Sequence, residues 1–377
     1  MNWLALCSNG TFQLWGSFII FGLAQIAANV SNKISIDQYT LNMAFFQSQF
    51  MNVVDVILGV MMMWPMQYYG YITAAETPYN MHIWYFITAI LDSLSVFAIA
   101  LGGYSTPGDW QTVLQQISFP LTFIFAPLVF SATRDKMRRS PWFTTISSFG
   151  AVLLVAGICV TILPGIGDKS NQYTIAAVIT YISNNVFSTI SFMIKEWVLK
   201  DLRGSCVHLN VWNSIYMIPI TFALWPLQSL SIYGNIPLDQ LPQYLWYGCL
   251  CFAGHDVAGG NCSGAWKSEL VFSISTFVAV VFAIIMTKRG SAAFQWAANA
   301  FVVPMTNLIF GMSIMPTSVY QAYTWYIIVG SVFVSIGIVI YGIGEYYLNK
   351  TEVVPEDHLL SPVNRTDRER LLVEISA

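Results

Sequence analysis

Long apolar blocks, broken by short polar stretches, run through almost the whole chain. A helix needs about 18–25 predominantly apolar residues to cross a bilayer. Ten blocks meet that length, at about 11–31, 43–66, 83–103, 109–130, 143–163, 172–194, 208–229, 269–287, 291–313 and 323–345. The second is the most interrupted, by Asp55 and several polar residues near its start. Membrane proteins concentrate Lys and Arg in their cytosolic loops. With the N-terminus placed in the cytosol, 13 of the 16 basic residues fall on the cytosolic side, and only Lys33, Lys169 and Lys267 on the other. The pattern predicts an all-α integral membrane protein of ten spans with both termini cytosolic.

Composition supports this and removes alternatives. Only 9% of the 377 residues are charged and 56% are hydrophobic, with a mean hydropathy of +0.59, whereas soluble domains carry about a quarter charged residues. A net charge of −3 with no basic stripe excludes a nucleic-acid partner. The opening "MNWLALCSNGTFQLWG" lacks the basic region of a secretory signal, so the first block is expected to remain as a span.

The fourth block carries an unusual polar load in "TPGDWQTVLQQISFPLTF", Thr106 to Phe123. Shifted by 184 positions, this stretch meets "GSAAFQWAANAFVVPMTN" in the ninth block. Gln111 then falls on Gln295, Gln115 on Asn299, Pro120 on Pro304 and Thr122 on Thr306. Two repeats of five spans each enter the membrane in opposite directions. Inverted repeats of this kind are common in secondary transporters, with the substrate site near the midplane between the halves. The expected division is residues 1–170 for the first repeat, 171–347 for the second with a long connection at about 230–268, and 348–377 for a polar cytosolic tail.

Gln111, Gln115, Ser118 and Thr122 advance by 4, 3 and 4 residues, so they share one helix face. Gln295, Asn299 and Thr306 form the mirrored stripe, with Val302 standing where Ser118 would correspond. A polar face is costly against lipid. The two stripes are expected to form the walls of one central pocket, with amide bonding between helices as the alternative. Pro120 lacks an amide hydrogen and frees a backbone carbonyl nearby.

These residues bring a family into view. "AILDSLSVFAIALGGYSTPGDWQTVLQQISFP" resembles the third and fourth spans of the chloroquine resistance transporter-like family, within the drug/metabolite transporter superfamily. "VSNKI" at Val30–Ile34, "KEWVLK" at Lys195–Lys200 followed by Leu209-Asn210, and "NCSGAWKSE" at Asn261–Glu269 are similar to that family at the same places in order. The similarity runs over roughly residues 12–345. It implies ten helices in two inverted five-helix repeats, the drug/metabolite transporter fold. It also implies a carrier of drugs, amino acids, short peptides or glutathione-related thiols in an acidic vacuolar, lysosomal or plastid membrane. Two departures stand out. Phe301-Val302-Val303 precedes Pro304 where the family's malarial member has Gln-Gly, and Val278-Ala279-Val280 occupies the place of an aspartate. The second half of the pocket is therefore expected to be less polar, which weakens the carry-over of cationic drug specificity to this chain while cationic drugs stay among the expected solutes.

Asp92 lies mid-span in the third block and matches the family's Leu-Asp motif. A carboxylate there must be protonated, paired or facing water. It is assigned to substrate binding and proton coupling, with hydrogen bonding to a neighbouring helix as the structural alternative. Asp55 is a second coupling candidate. Lys33 aligns with the family position that affects drug access and is placed at the cavity mouth, although a lysine there also suits snorkelling to headgroups. Asn184 and Asn185 of the sixth block are pocket candidates that, as neighbours in sequence, do not share a face. Lys195 and Glu196 read as a solvated pair or cap at a cytosolic helix end.

The connection at about 230–268 contains Cys249, Cys251, Cys262 and His255. A disulfide, a zinc site and free thiols are all compatible with this set. Family position implies the pair Cys251–Cys262. In the tail, "DRERLL", with Asp367, Leu371 and Leu372, reads as an acidic dileucine signal for a vesicle adaptor, or as one amphipathic turn.

Enzyme readings find little support. "GIGD" at Gly165–Asp168 matches part of an intramembrane aspartyl protease signature, but no Tyr-Asp or Pro-Ala-Leu accompanies it. The sequence therefore predicts a proton-coupled carrier of small organic solutes, without metal or other cofactor, acting as a monomer in the bilayer. It works by alternating access and exports solute from an acidic organelle. A nucleotide-sugar exchanger of the same superfamily is the runner-up and an intramembrane enzyme a remote alternative.

Overall fold

In a computed structural model the chain is described over residues 10–39, 43–104, 111, 114–129, 141–166, 175–229, 236–257, 261–312, 315, 320 and 324–350. Among these residues the regular structure is entirely helical. The long helices are α1 (Gly10–Gln38), α2 (Ala44–Tyr68), α3 (His82–Tyr104), α4 (Ser118–Val129), α5 (Pro141–Ile166), α6 (Ile175–Lys200) and α7 (Cys206–Leu224). They continue with α8 (Leu241–Phe252), α9 (Ala265–Arg289), α10 (Ala292–Phe310) and α11 (Trp325–Lys350). Every predicted block coincides with one of these helices. Among the described residues, five helices are long and apolar enough to cross a membrane: those at Leu14–Gln38, Ala44–Tyr68, Tyr79–Gly102, Ala265–Arg289 and Trp325–Gly344.

The two boundaries furthest from the sequence reading are the end of the first block and the start of the fourth. The first block continues to Gln38, because the polar residues after Ala27 remain helical along the neighbouring α9. The fourth opens with a 3-10 turn at Gln115–Ile117 before α4 begins. One element was not expected. The connection at 230–268 contains α8, a 12-residue helix with proline in its first turn. At about 1.5 Å per residue it is too short to span a bilayer.

The helices pack in a definite set of partners. α5 lies along α11, α1 along α9, and α3 along α6. α7 packs on α2 and α3, α9 also on α2, α10 on α1, α4 and α11, and α4 on α5 and α6. The α5–α11 seam is made by glycines. Gly150 meets Gly337, and Gly157 meets Gly330, so the two helices run antiparallel with their backbones in contact. Apolar cores fill the remaining joints. Phe119, Leu154, Trp296, Val303 and Tyr341 join α4, α5, α10 and α11, and Phe21, Ala279, Ala283 and Val302 join α1, α9 and α10. Exposed Trp, Ile, Val and Phe side chains cover much of the outer surface, as a lipid-facing surface requires.

Candidate functional site

Thr88, Asp92 and Ser95 lie on one face of α3, at i, i+4 and i+7, and α6 lies antiparallel against that face. The Lys195 ammonium is 2.6 Å from Asp92 Oδ2. Asn213 Nδ2 of α7 donates to the same oxygen at 2.7 Å. The Thr88 hydroxyl donates to Asn213 Oδ1 at 2.9 Å, which fixes the amide so that its NH2 points to the carboxylate. The side chains of Lys195 and Asp92 are only 4% and 15% exposed. The ammonium also sits 4.7 Å from the centre of the Phe192 ring. A largely buried carboxylate is thus neutralised by an ammonium from α6 and held by one amide donor from α7.

Lys195 is a correction to the sequence reading, which placed it in solvent at a helix end. It belongs to a stripe of α6 with Asn184, Ser188 and Ser191, spaced 4, 3 and 4, and that spacing was the available signal. Only Glu196 fits the end-of-helix reading. It accepts from Lys200 at 2.7 Å and from the Ala292 amide at 2.9 Å, tying α6 to the start of α10.

The polar stripe of the fourth block meets α6. Gln115 Nε2 donates to the Tyr181 hydroxyl at 3.0 Å, and the Ser118 hydroxyl donates to Asn185 Oδ1 at 2.9 Å. Asn185 returns a bond to the Leu114 carbonyl at 3.1 Å. The 3-10 turn directs the Ser118 amide to the Gln115 carbonyl, and the Leu114 carbonyl takes the Asn185 amide instead. Gln111 and Thr122 are buried, and Thr122 bonds back to the Ser118 carbonyl at 2.8 Å. The neighbours Asn184 and Asn185 divide their work. Asn184 accepts from Ser95 of α3 at 2.5 Å, while Asn185 faces α4. On α10, Gln295, Asn299 and Thr306 are all buried, and Gln295 Oε1 has no hydrogen-bond partner. α4 and α10 touch, so both stripes lie within one bundle. Gln115 and Ser118 spend their hydrogen bonds on joining α4 to α6.

Two further carboxyl groups are buried. Asp55 lies mid-helix on α2, and its Oδ1 has no hydrogen-bond partner. Glu269 of α9 is fully buried, and sequence reasoning missed it as a site residue. The Ser35 hydroxyl donates to Glu269 Oε2 at 2.5 Å, and Gln47 Nε2 donates to Ser35 Oγ at 2.7 Å and to Glu269 Oε2 at 3.3 Å. Lys33 is half-buried on α1, two residues before Ser35. A cavity of about 790 Å³ opens between α1 and α9, lined by Val30, Ile34, Gln38, Lys267 and Val271 among others. No residue of either polar stripe is among those that line it.

Cys251 and Cys262 form a disulfide, joining the end of α8 to the approach to α9. Gly264 then takes a left-handed φ of +75° to turn the chain into α9, a conformation glycine adopts at little cost. Cys249 is free and exposed. Closing a loop of 11 residues' separation is worth about 3 kcal/mol of chain entropy. Cys251→Ser is therefore expected to lower the thermal unfolding midpoint, and reductant should lower the wild-type midpoint toward that of the variant. Equal midpoints with and without reductant would show that the bond contributes nothing. Asp367, Leu371 and Leu372 lie outside the described residues.

Apolar helices of spanning length, enclosing an ion pair and ladders of amide and hydroxyl groups, define a polytopic helical membrane protein. Residues 18–341 match the chloroquine-resistance transporter-like family, and the chain belongs to it. It is 25% identical over 311 residues to the chloroquine resistance transporter of Toxoplasma gondii, covering 75% of this chain and 33% of that protein. It is 21% identical over 354 residues to Crt homolog 3 of Dictyostelium discoideum, covering 86% and 72%. It is 24% identical over 265 residues to Protein CLT3, chloroplastic, of Arabidopsis thaliana, covering 68% and 56%. The chain thus spans a third of the Toxoplasma protein and a little over half of the Arabidopsis one.

Proposed function

We propose that this protein is a secondary active carrier of small organic solutes, working by alternating access between two inverted five-helix repeats. The observation that carries the reading is the buried Asp92–Lys195–Asn213 cluster, shared by three helices. A carboxylate so placed exchanges its partner when a proton or a substrate amine competes with the lysine. Opening the α3–α6 joint then follows from breaking that pair.

The packing supports the repeat. Let α1, α2, α3, α4 and α5 exchange with α6, α7, α9, α10 and α11. The pairs α1–α9 and α3–α6 then interchange, as do α1–α10 and α4–α6, α2–α9 and α3–α7, and α4–α5 and α10–α11. The pairs α2–α7, α4–α10 and α5–α11 map onto themselves. The antiparallel α5–α11 seam is what opposite insertion of the halves demands.

The substrates in view are amino acids, short peptides, thiol peptides and organic cations. The apolar packing of Val302, Val303 and Ala279 favours the less cationic members of that set. Lys195 does not prepare the bundle for a nucleotide sugar, because Asp92 already neutralises it. We place the carrier in an acidic endomembrane with both termini cytosolic, exporting solute with protons. Relatives named for chloroquine resistance support the carrier reading.

Uptake into proteoliposomes with acid on the side of the 230–268 connection tests it. The panel is basic amino acids, short peptides, glutathione and a cationic quinoline, run with wild type, Asp92→Asn and Gln115→Ala. Gradient-driven movement that is abolished in Asp92→Asn and weakened in Gln115→Ala is expected. Movement of nucleotide sugars alone, by exchange indifferent to pH, would overturn the reading.

A further inference from the structure

We propose that Glu269, with Ser35 and Gln47, is a second carboxylate latch that binds a proton from the side of the 230–268 connection and closes that end of the transport path. The inference rests on the carrier reading and adds to it a site and a ligand. Its basis is a correspondence between two clusters. Asp92 lies on α3 and is held by α6 and α7. Glu269 lies on α9 and is held by Ser35 of α1 and Gln47 of α2. The helix exchange that preserves the packing sends α3, α6 and α7 to α9, α1 and α2. Each half thus contributes one carboxylate, and each carboxylate is held by the first two helices of the other half.

The Glu269 cluster lies at one end of the bundle, whereas Asp92 is midway along α3 with Lys195 toward the opposite end. Ser35 is near the end of α1, Gln47 near the start of α2 and Glu269 near the start of α9. All three are close to the disulfide, whose core includes Tyr39, Phe46, Cys251, Cys262 and Ala265. Lys195 lies instead toward the far end of α6. The correspondence is one of helices rather than of residues, since the 184-residue shift sets Asp92 on Thr276 and Glu269 on Tyr85.

The clusters differ in charge. Asp92 has a cation and Glu269 has none among the described residues. The polar and titratable groups around the start of α9 are Ser35 and Tyr39 from the end of α1 and Gln47 from α2, with Cys249 exposed on α8 near Tyr39. Asp55 lies two turns deeper on α2, and Asp37 and Lys267 are exposed. Glu269 Oε1 and the Tyr39 hydroxyl are both buried without a hydrogen-bond partner. An ionised carboxylate with no counter-charge and one oxygen unsolvated is strongly disfavoured. The closed arrangement therefore suits the neutral acid. Binding one proton forms one O–H bond on the carboxylate and requires no other reactant. Loss of that proton leaves a bare charge, which is relieved when α1, α2 and α9 part and admit water.

Hydrogen–deuterium exchange on the full-length protein in lipid nanodiscs, at pH 5 and pH 7.5 and corrected for intrinsic rates, tests this without any substrate. In wild type, peptides over 31–39, 43–52 and 263–273 should exchange about tenfold more slowly at the acid pH, the factor of one hydrogen bond of ordinary net worth. Glu269→Gln, which reproduces the neutral acid, should be slow at both pH values, and Glu269→Ala fast at both. A pH response in Glu269→Gln equal to that of wild type, or no response in wild type, overturns the proposal. Failure of the liposome assay would leave this result readable, so the latch and the carrier reading fail separately.

Discussion

Lys195→Ala should destabilise the protein by about 3–5 kcal/mol and abolish transport, because it leaves the Asp92 carboxylate buried and uncompensated. The geometry makes the penalty large. Asn213 and Thr88 form a fixed relay behind Asp92, and neither supplies charge. Asp92→Asn removes the same ion pair from the other side, but the ammonium keeps the Phe192 ring 4.7 Å away and an amide oxygen to donate to. It should be the milder variant for stability and equally severe for gradient-driven uptake. The double variant Asp92→Leu, Lys195→Met separates the two roles. Replacing a buried pair with apolar residues of similar volume is often neutral or stabilising, so its unfolding midpoint should return to near that of wild type while transport stays lost. Thermal unfolding of the purified protein and liposome uptake, run on the same four proteins, read both quantities. If the double variant still responds to the proton gradient, Asp92 and Lys195 are only a structural clasp.

Spans were legible because lipid imposes a length and an apolar requirement that each helix must meet by itself. α8 was not, since 12 residues packed against the disulfide core answer to tertiary contacts rather than to the bilayer. Helix periodicity identified the polar faces of α4 and α10 but not the partner each face meets. The α4 stripe turns to Tyr181 and Asn185, a choice set by where α6 passes. Lys195 carried the same ambiguity. Position near a helix end suggested solvent, while spacing with Asn184 and Ser188 pointed inward, and the buried carboxylate on α3 decides in favour of spacing. Glu269 lay within a motif noted only for its family resemblance. Its role emerges when Ser35, Gln47 and Glu269, distant in sequence, are brought within bonding distance.

The glycine seam between α5 and α11 should be the least tolerant surface in the molecule. A Cβ added at Gly150 would lie 2.6 Å from the Tyr341 amide nitrogen and 2.7 Å from the Gly337 carbonyl oxygen. At Gly337 it would lie 2.8 Å from both the Gly150 carbonyl oxygen and the Leu154 amide nitrogen. These neighbours are backbone atoms, which no rotamer change can move, so the helices themselves must separate. In a bilayer, close approach of small residues supplies the van der Waals contact that holds helices together, since lipid offers no hydrophobic drive between them. Gly337→Ala should therefore lower stability by about 1–3 kcal/mol, and Gly337→Leu should prevent assembly of a monodisperse protein. Gly342, on the same helix, is the control. A Cβ there meets nothing within 4 Å, and alanine is favoured over glycine in a helix by about 1 kcal/mol, so Gly342→Ala should unfold at or above the wild-type temperature. Both substitutions add the same methyl group to the same helix. Propensity alone predicts that both stabilise, whereas the seam predicts opposite signs. If Gly337→Ala unfolds no earlier than Gly342→Ala, the close approach of α5 and α11 does not exist in the membrane, and the self-paired joint of the inverted repeat goes with it.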